Sequence, residues 1–203
     1  MMCLRFPRLV ATCIVLAGAF AVSPGCASSP DAKETVDSMG KFGLEVAKVK
    51  DSIDHSLKSL ETVVASQPGD INANVSAYGK SVAALDKQAK VVRERAEAMR
   101  SKGDEFFKEW EPPKNVTPER RAELTASFAK IKEDMTAAKQ GFTPFLASLK
   151  DIQSYLKVDP STKGINSMGE LVKKAKDHGA QVNASIDAVL NQVNSVRGML
   201  STK

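Results

Sequence analysis

The sequence predicts an all-α protein: an elongated up-down-up-down four-helix bundle with coiled-coil-like heptads, set behind a cleaved export signal. Three observations predict it. Apolar and small residues recur at alternating spacings of three and four along four long stretches, the period of helices packed side by side. Three short breaks rich in proline and aspartate separate those stretches. The first 25 residues run from a basic start through an apolar stretch to small residues, as signal peptides do. A three-helix bundle with one helix peeled away is the alternative arrangement.

At the N-terminus, Arg5 and Arg8 precede a 14-residue apolar stretch, Leu9 to Val22, and then Ser23-Pro24-Gly25-Cys26. The stretch is too short to span a bilayer and is expected to be removed. It resembles a bacterial lipoprotein signal: Gly25 and Cys26 fit the usual cleavage box, while Ser23 and Pro24 stand where Leu and Ala are common. Cys26 is thus the expected lipidation site, with 1–25 as signal, 26–32 as tether and 33–203 as the bundle domain. The alternative is an ordinary secreted protein cut near Ala27. Because Ala27 is not acidic, the lipoprotein resemblance implies the periplasmic face of the outer membrane rather than the inner membrane.

The first helix is expected over 33–66, with Met39, Phe42, Val46, Val49, Ile53, Ser56, Leu60 and Val63 as its inward stripe. Pro68-Gly69-Asp70 ends it, and the Asp70 carboxylate is expected to cap the second helix, 71–111. That helix carries Val75, Tyr78, Val82, Leu85, Ala89, Val92, Ala96, Met99, Gly103, Phe106 and Trp110. Pro112-Pro113 stops it, and Thr117-Pro118-Glu119 supplies a cap, a first-turn proline and a first-turn acid for the third, 118–157. The third stripe runs from Leu124 through Phe128, Ile131, Met135, Ala138, Phe142 and Phe145 to Leu156; Pro144 is expected to kink this helix without ending it. Asp159-Pro160 opens the fourth, 160–201, with Ile165, Met168, Val172, Ala175, Gly179, Val182 and onward to Leu200. Helices of about 40 residues are about 60 Å long, and such short connections make neighbours antiparallel.

Composition excludes several functions. With the signal removed, Cys26 is the one remaining thiol, so no internal disulfide forms. The signal segment takes two of the 29 bases and none of the 24 acids, leaving a mature charge of +3. Lys alternates with Glu and Asp, and aromatics do not interleave a basic face, so nucleic acid is not an expected partner. His55 and His178 are isolated beside acids on polar segments, and the Glu-x-x-His pairs of a di-metal bundle are missing. No nucleophile with its base and no glycine-rich phosphate loop is present, and Ser56 can bond to its own backbone. No metal, cofactor or catalytic residue is expected, and the chain is read as not an enzyme.

Two segments carry a resemblance: Phe106-Phe107-Lys108-Glu109-Trp110-Glu111, and Phe142-Thr143-Pro144-Phe145-Leu146 through Leu149-Lys150-Asp151 to Tyr155-Leu156-Lys157. They resemble an uncharacterised bacterial family, domain of unknown function 2959, whose members are often predicted to be lipoproteins. The resemblance implies a helical architecture and an envelope location; it assigns no activity and no functional residue.

Three functions then compete. The first is a structural or protein-interaction rod, anchored at Cys26, that offers its distal turns near Gln67, Asp159 and Thr162 to an envelope protein. In this geometry the turn after Trp110 faces the membrane, making Phe106, Phe107 and Trp110 either membrane-proximal contacts or a core plug. The second is a bundle that binds lipid or another apolar ligand beside Ala89, Ala96 and Gly103, small residues that otherwise let a partner helix approach. The third is peptidoglycan attachment through Lys203, which the antiparallel path disfavours. Self-association through heptad surfaces stays open.

Overall fold

The computed structural model describes residues 32–110 and 116–201. Cys26, Lys203 and residues 111–115 lie outside the described residues. Helix α1 spans Ala32–Val64, α2 Ile71–Glu109 and α3 Pro118–Val158; a short α4, Thr162–Ser167, is followed by α5, Gly169–Ser201. The three long helices that come first match their expected spans to within two residues at each end.

Helices α1 and α5 bury nearly all of the stripe their sequences define, while on α2 and α3 the stripe is only partly buried at Val92 and Ala96 and at Met135, Ala138 and Phe142. On α1 the buried set is Thr35, Met39, Phe42, Val46, Val49, Ile53, Ser56, Leu60 and Val63, the spacing of three and four carried one turn further back than expected. Full burial of each large apolar side chain contributes roughly 1.5–3 kcal/mol, and this packing outweighs intrinsic helix propensity in holding such helices together. Helix α1 packs along α2 on one side and α5 on the other, while α3 packs along α5 and, more sparsely, along α2. The order around the bundle is therefore α1, α2, α3, α5, the four-helix arrangement expected from short connections.

The ends obey local chemistry with two corrections. Thr117 caps α3 as expected, its hydroxyl accepting from the Arg120 amide, with Pro118 in the first turn. Asp70 does not cap α2 with its carboxylate. Its backbone is already helical (φ −102°, ψ −10°), and the turn is held by the Asp70 amide donating to the Gln67 carbonyl and by Asn74 Nδ2 donating to Ser66 Oγ at 2.8 Å. The second correction is the fourth helix, which does not start at Pro160 and is not continuous. Asp159 instead closes α3, donating its amide to the Tyr155 carbonyl, and Ser161 caps α4 by accepting from the Gly164 amide at 3.1 Å. A side chain at Gly164 would have its Cβ only 2.4 Å from the Asp159 carbonyl oxygen, so this tight return requires glycine. The chain leaves helical geometry at Met168, yet Ile165, Met168 and Val172 remain buried in register. The core stripe crosses the break, which is why periodicity alone does not show it. Helix α3 runs on through Pro144, whose ring faces solvent.

Candidate functional site

Helices α2 and α3 meet closely at two places and part between them. At one end Tyr78 donates from its hydroxyl to the Leu149 carbonyl at 2.8 Å, in the buried interior. Burial pushes that phenol above its ordinary pKa, so it stays protonated and donating. Beside it, the absence of a side chain at Gly79 admits the Gln153 amide, which would lie 2.7 Å from a Cβ there. At the other end the Phe128 ring lies where a Cβ of Gly103 would stand, at 2.1 Å. Two ion pairs reinforce these contacts: Asp86 with Lys150 at 3.3 Å and Asp104 with Lys132 at 2.6 Å. The two pairs are eighteen residues apart on each helix, about 27 Å along the axis at 1.5 Å per residue. They clamp the seam at matching levels of two antiparallel helices.

Between the clamps lies a cavity of about 270 Å³ that opens between α2 and α3 and reaches the bundle core. Its floor is made by Phe42, Val46 and Val49 of α1 and by Val182, Ile186 and Val189 of α5. Its walls are Ala89, Val92 and Ala96 of α2 and Met135, Ala138 and Phe142 of α3. These wall residues hold core register, yet all but Ala89 are only partly buried. The physical reason is volume: alanine at 89, 96 and 138 does not reach across a seam whose spacing the clamps fix. The small residues on α2 thus divide. Ala89 and Ala96 leave space, whereas Gly103 is filled by Phe128, a correction to the expectation that all three share one role.

The cavity's edge is charged. Arg93, Glu97 and Arg100 on α2 and Lys132 and Lys139 on α3 line it, with Thr136 and Thr143. The two threonine hydroxyls donate to backbone carbonyls one turn back, of Lys132 and Lys139. Lys132 also sits 5.1 Å from the Phe128 ring centre, a cation–π contact at the clamp.

The other candidate residues fall at the bundle's ends. Phe106 is buried at 1% exposure and stacks on Trp110 at 5.4 Å; Phe107 meets Phe128 at 4.9 Å. Phe106 is therefore core, and Phe107 and Trp110 are its half-buried neighbours. At the opposite end Gln67 and Thr162 are exposed and Asp159 is half-buried in its capping role. Around them stand exposed apolar side chains that sequence reading passed over: Val64, Tyr155, Leu171 and Val158, the last 86% exposed. His55 is exposed and His178 half-buried. Among the described residues no group of three or more His, Cys, Asp or Glu could hold a metal ion, and no helix is long and apolar enough to cross a membrane.

The family of proteins of unknown function DUF2959 matches residues 36–198, from the second turn of α1 almost to the end of α5. The chain belongs to that family. No curated protein and no solved structure matches it. The match takes in every residue of the cavity, so the site sits wholly within the family's domain.

The cations at the cavity's edge are the functional candidates that sequence reading missed, since Lys and Arg alternate with acids along most of the chain. A signal was present. Arg93 and Arg100 are seven residues apart, as are Lys132 and Lys139, and each follows a core position directly: Val92, Met99, Ile131 and Ala138. Heptad-spaced cations bordering one seam, where core residues shrink to alanine, distinguish this edge from a merely solvated face.

Proposed function

We propose that this protein is a non-enzymatic, lipid-anchored component of the cell envelope whose bundle takes an apolar ligand between α2 and α3. The anchor is Cys26, and the periplasmic face of the outer membrane is the location that its signal resemblance favours. The cavity carries the binding function. Such a space is filled in solution, and walls of valine, phenylalanine, methionine and alanine give water too few partners to be its best occupant. Each buried methylene contributes about 0.8 kcal/mol, so a ligand needs a chain of several carbons to exceed an association cost of about 4 kcal/mol or more. The charged side chains and threonines stand at the edge, and the walls themselves are apolar.

Native mass spectrometry of protein extracted gently from envelopes tests this. An apolar small-molecule adduct, identified after release, is the expected result; bare protein in every extract contradicts it.

The exposed side chains Val64, Tyr155, Val158 and Leu171 support a second activity, protein interaction through the distal end. Photo-crosslinking from probes at Gln67 and Thr162 in native envelopes should then give one recurrent protein adduct. No protein adduct from either position would remove this activity.

A further inference from the structure

The mouth of the α2–α3 cavity carries a charge pattern that specifies the head of its ligand. Four cations, Arg93, Arg100, Lys132 and Lys139, stand at the edge with one acid, Glu97. Asp104 engages two of them, Arg100 at 3.7 Å and Lys132 at 2.6 Å. Arg93, Lys139 and Glu97 have no ion-pair partner among the described residues. That differs from the α1–α5 seam, where cations are matched across helices, Lys50 with Asp187 and Lys176 with Glu61. Arg93, Lys139 and Glu97 together carry one net positive charge, and Arg100 and Lys132, which share the single carboxylate of Asp104, carry a second, all above an apolar interior.

We propose that the ligand is a fatty acid, with its alkyl chain in the cavity and its carboxylate between Arg93 and Lys139; this rests on the apolar-ligand function proposed above. A single chain is indicated by volume, since 270 Å³ lies at the small end of ligand pockets and leaves no room for a second. A carboxylate is indicated by charge. It is a monoanion, matching the one net positive charge of Arg93, Lys139 and Glu97 where the head is placed, whereas a phosphate monoester brings about 1.5 to 2 negative charges and would meet Glu97 with the excess. The guanidinium of Arg93 offers a planar fork suited to a carboxylate, and Lys139 adds a point charge from the facing helix. Both side chains are exposed, so the head stays partly hydrated while the chain leaves water.

The test is calorimetric titration of the delipidated bundle with dodecanoate, dodecanol, dodecyl phosphate and dodecyltrimethylammonium, repeated on the double variant R93Q/K139Q. These two positions are exposed, and an unchanged melting curve verifies that the variant folds as the parent does. The parent should bind dodecanoate about tenfold or more tighter than each of the other three, as one charge-assisted contact provides. The double variant should lose that advantage and keep its affinity for dodecanol. Equal binding of all four chains, tighter binding of dodecyl phosphate, or equal losses for dodecanoate and dodecanol in the variant would each overturn the fatty-acid assignment and leave an apolar-ligand cavity standing. Binding of none of them would overturn the cavity function itself.

Discussion

Gly103 and Phe128 set how closely α2 and α3 approach at one clamp. With the ring 2.1 Å from the position of a Cβ, Gly103→Ala forces the ring or the helix to move. Overpacking of this kind costs about 1–3 kcal/mol, which predicts a melting temperature lower by about 2–10 °C in a thermal scan. Nothing in the spacing of Ala89, Ala96 and Gly103 tells them apart, because all three hold the same register. What separates them is the residue opposite, a large ring for Gly103 and open space for the alanines. The second clamp makes a pH prediction. Burial raises the pKa of Asp86, but Lys150 and Lys90 outweigh it and hold the carboxyl below its ordinary value. A depressed pKa means that the pair stabilises the fold above the ordinary aspartate range and that this contribution is lost as pH falls through the folded value. Asp86→Asn should therefore melt slightly below the parent at neutral pH, by no more than about 1 kcal/mol for so exposed a pair. In melts below the ordinary aspartate range the difference should vanish; a constant gap across pH would show that Asp86 acts through packing instead.

At the scale of elements, the α2–α3 seam stands open where Ala89, Ala96 and Ala138 line it. Ala96→Leu should fill part of the cavity, stabilising the ligand-free protein by about 1 kcal/mol and weakening dodecanoate binding more than tenfold. Destabilisation with unchanged binding would mean that the cavity already collapses around Ala96. Helix existence and length were legible because Pro68, Pro112, Pro113 and Pro118 punctuate an otherwise continuous three-and-four spacing. The break at Met168 was not legible. The apolar stripe through Ile165, Met168 and Val172 runs across it unchanged, so spacing alone carries no sign of it. Nor was the α2 cap legible, since Asp70 is a good capping residue whose carboxylate is idle only because its own backbone has already turned helical.

For the whole molecule, the bundle and its ring order follow from pattern and short connections, whereas the cavity depends on how far two helices stand apart, which no local pattern encodes. The proposed envelope location rests on the N-terminal segment. Cys26→Ser should move the protein from the membrane to the soluble envelope fraction and abolish incorporation of labelled fatty acid, without altering the melting curve of the bundle; persistent label would place the modification elsewhere. The central claim is that the space between α2 and α3 receives an apolar chain. Its most direct test is methionine-methyl NMR of the delipidated protein during titration with dodecanoate, because Met135 lines the cavity while Met168 lies in the break between α4 and α5 at the distal end. The predicted result is a saturable shift of the Met135 methyl with Met168 unmoved. A Met135 resonance that stays fixed at saturating dodecanoate would contradict it.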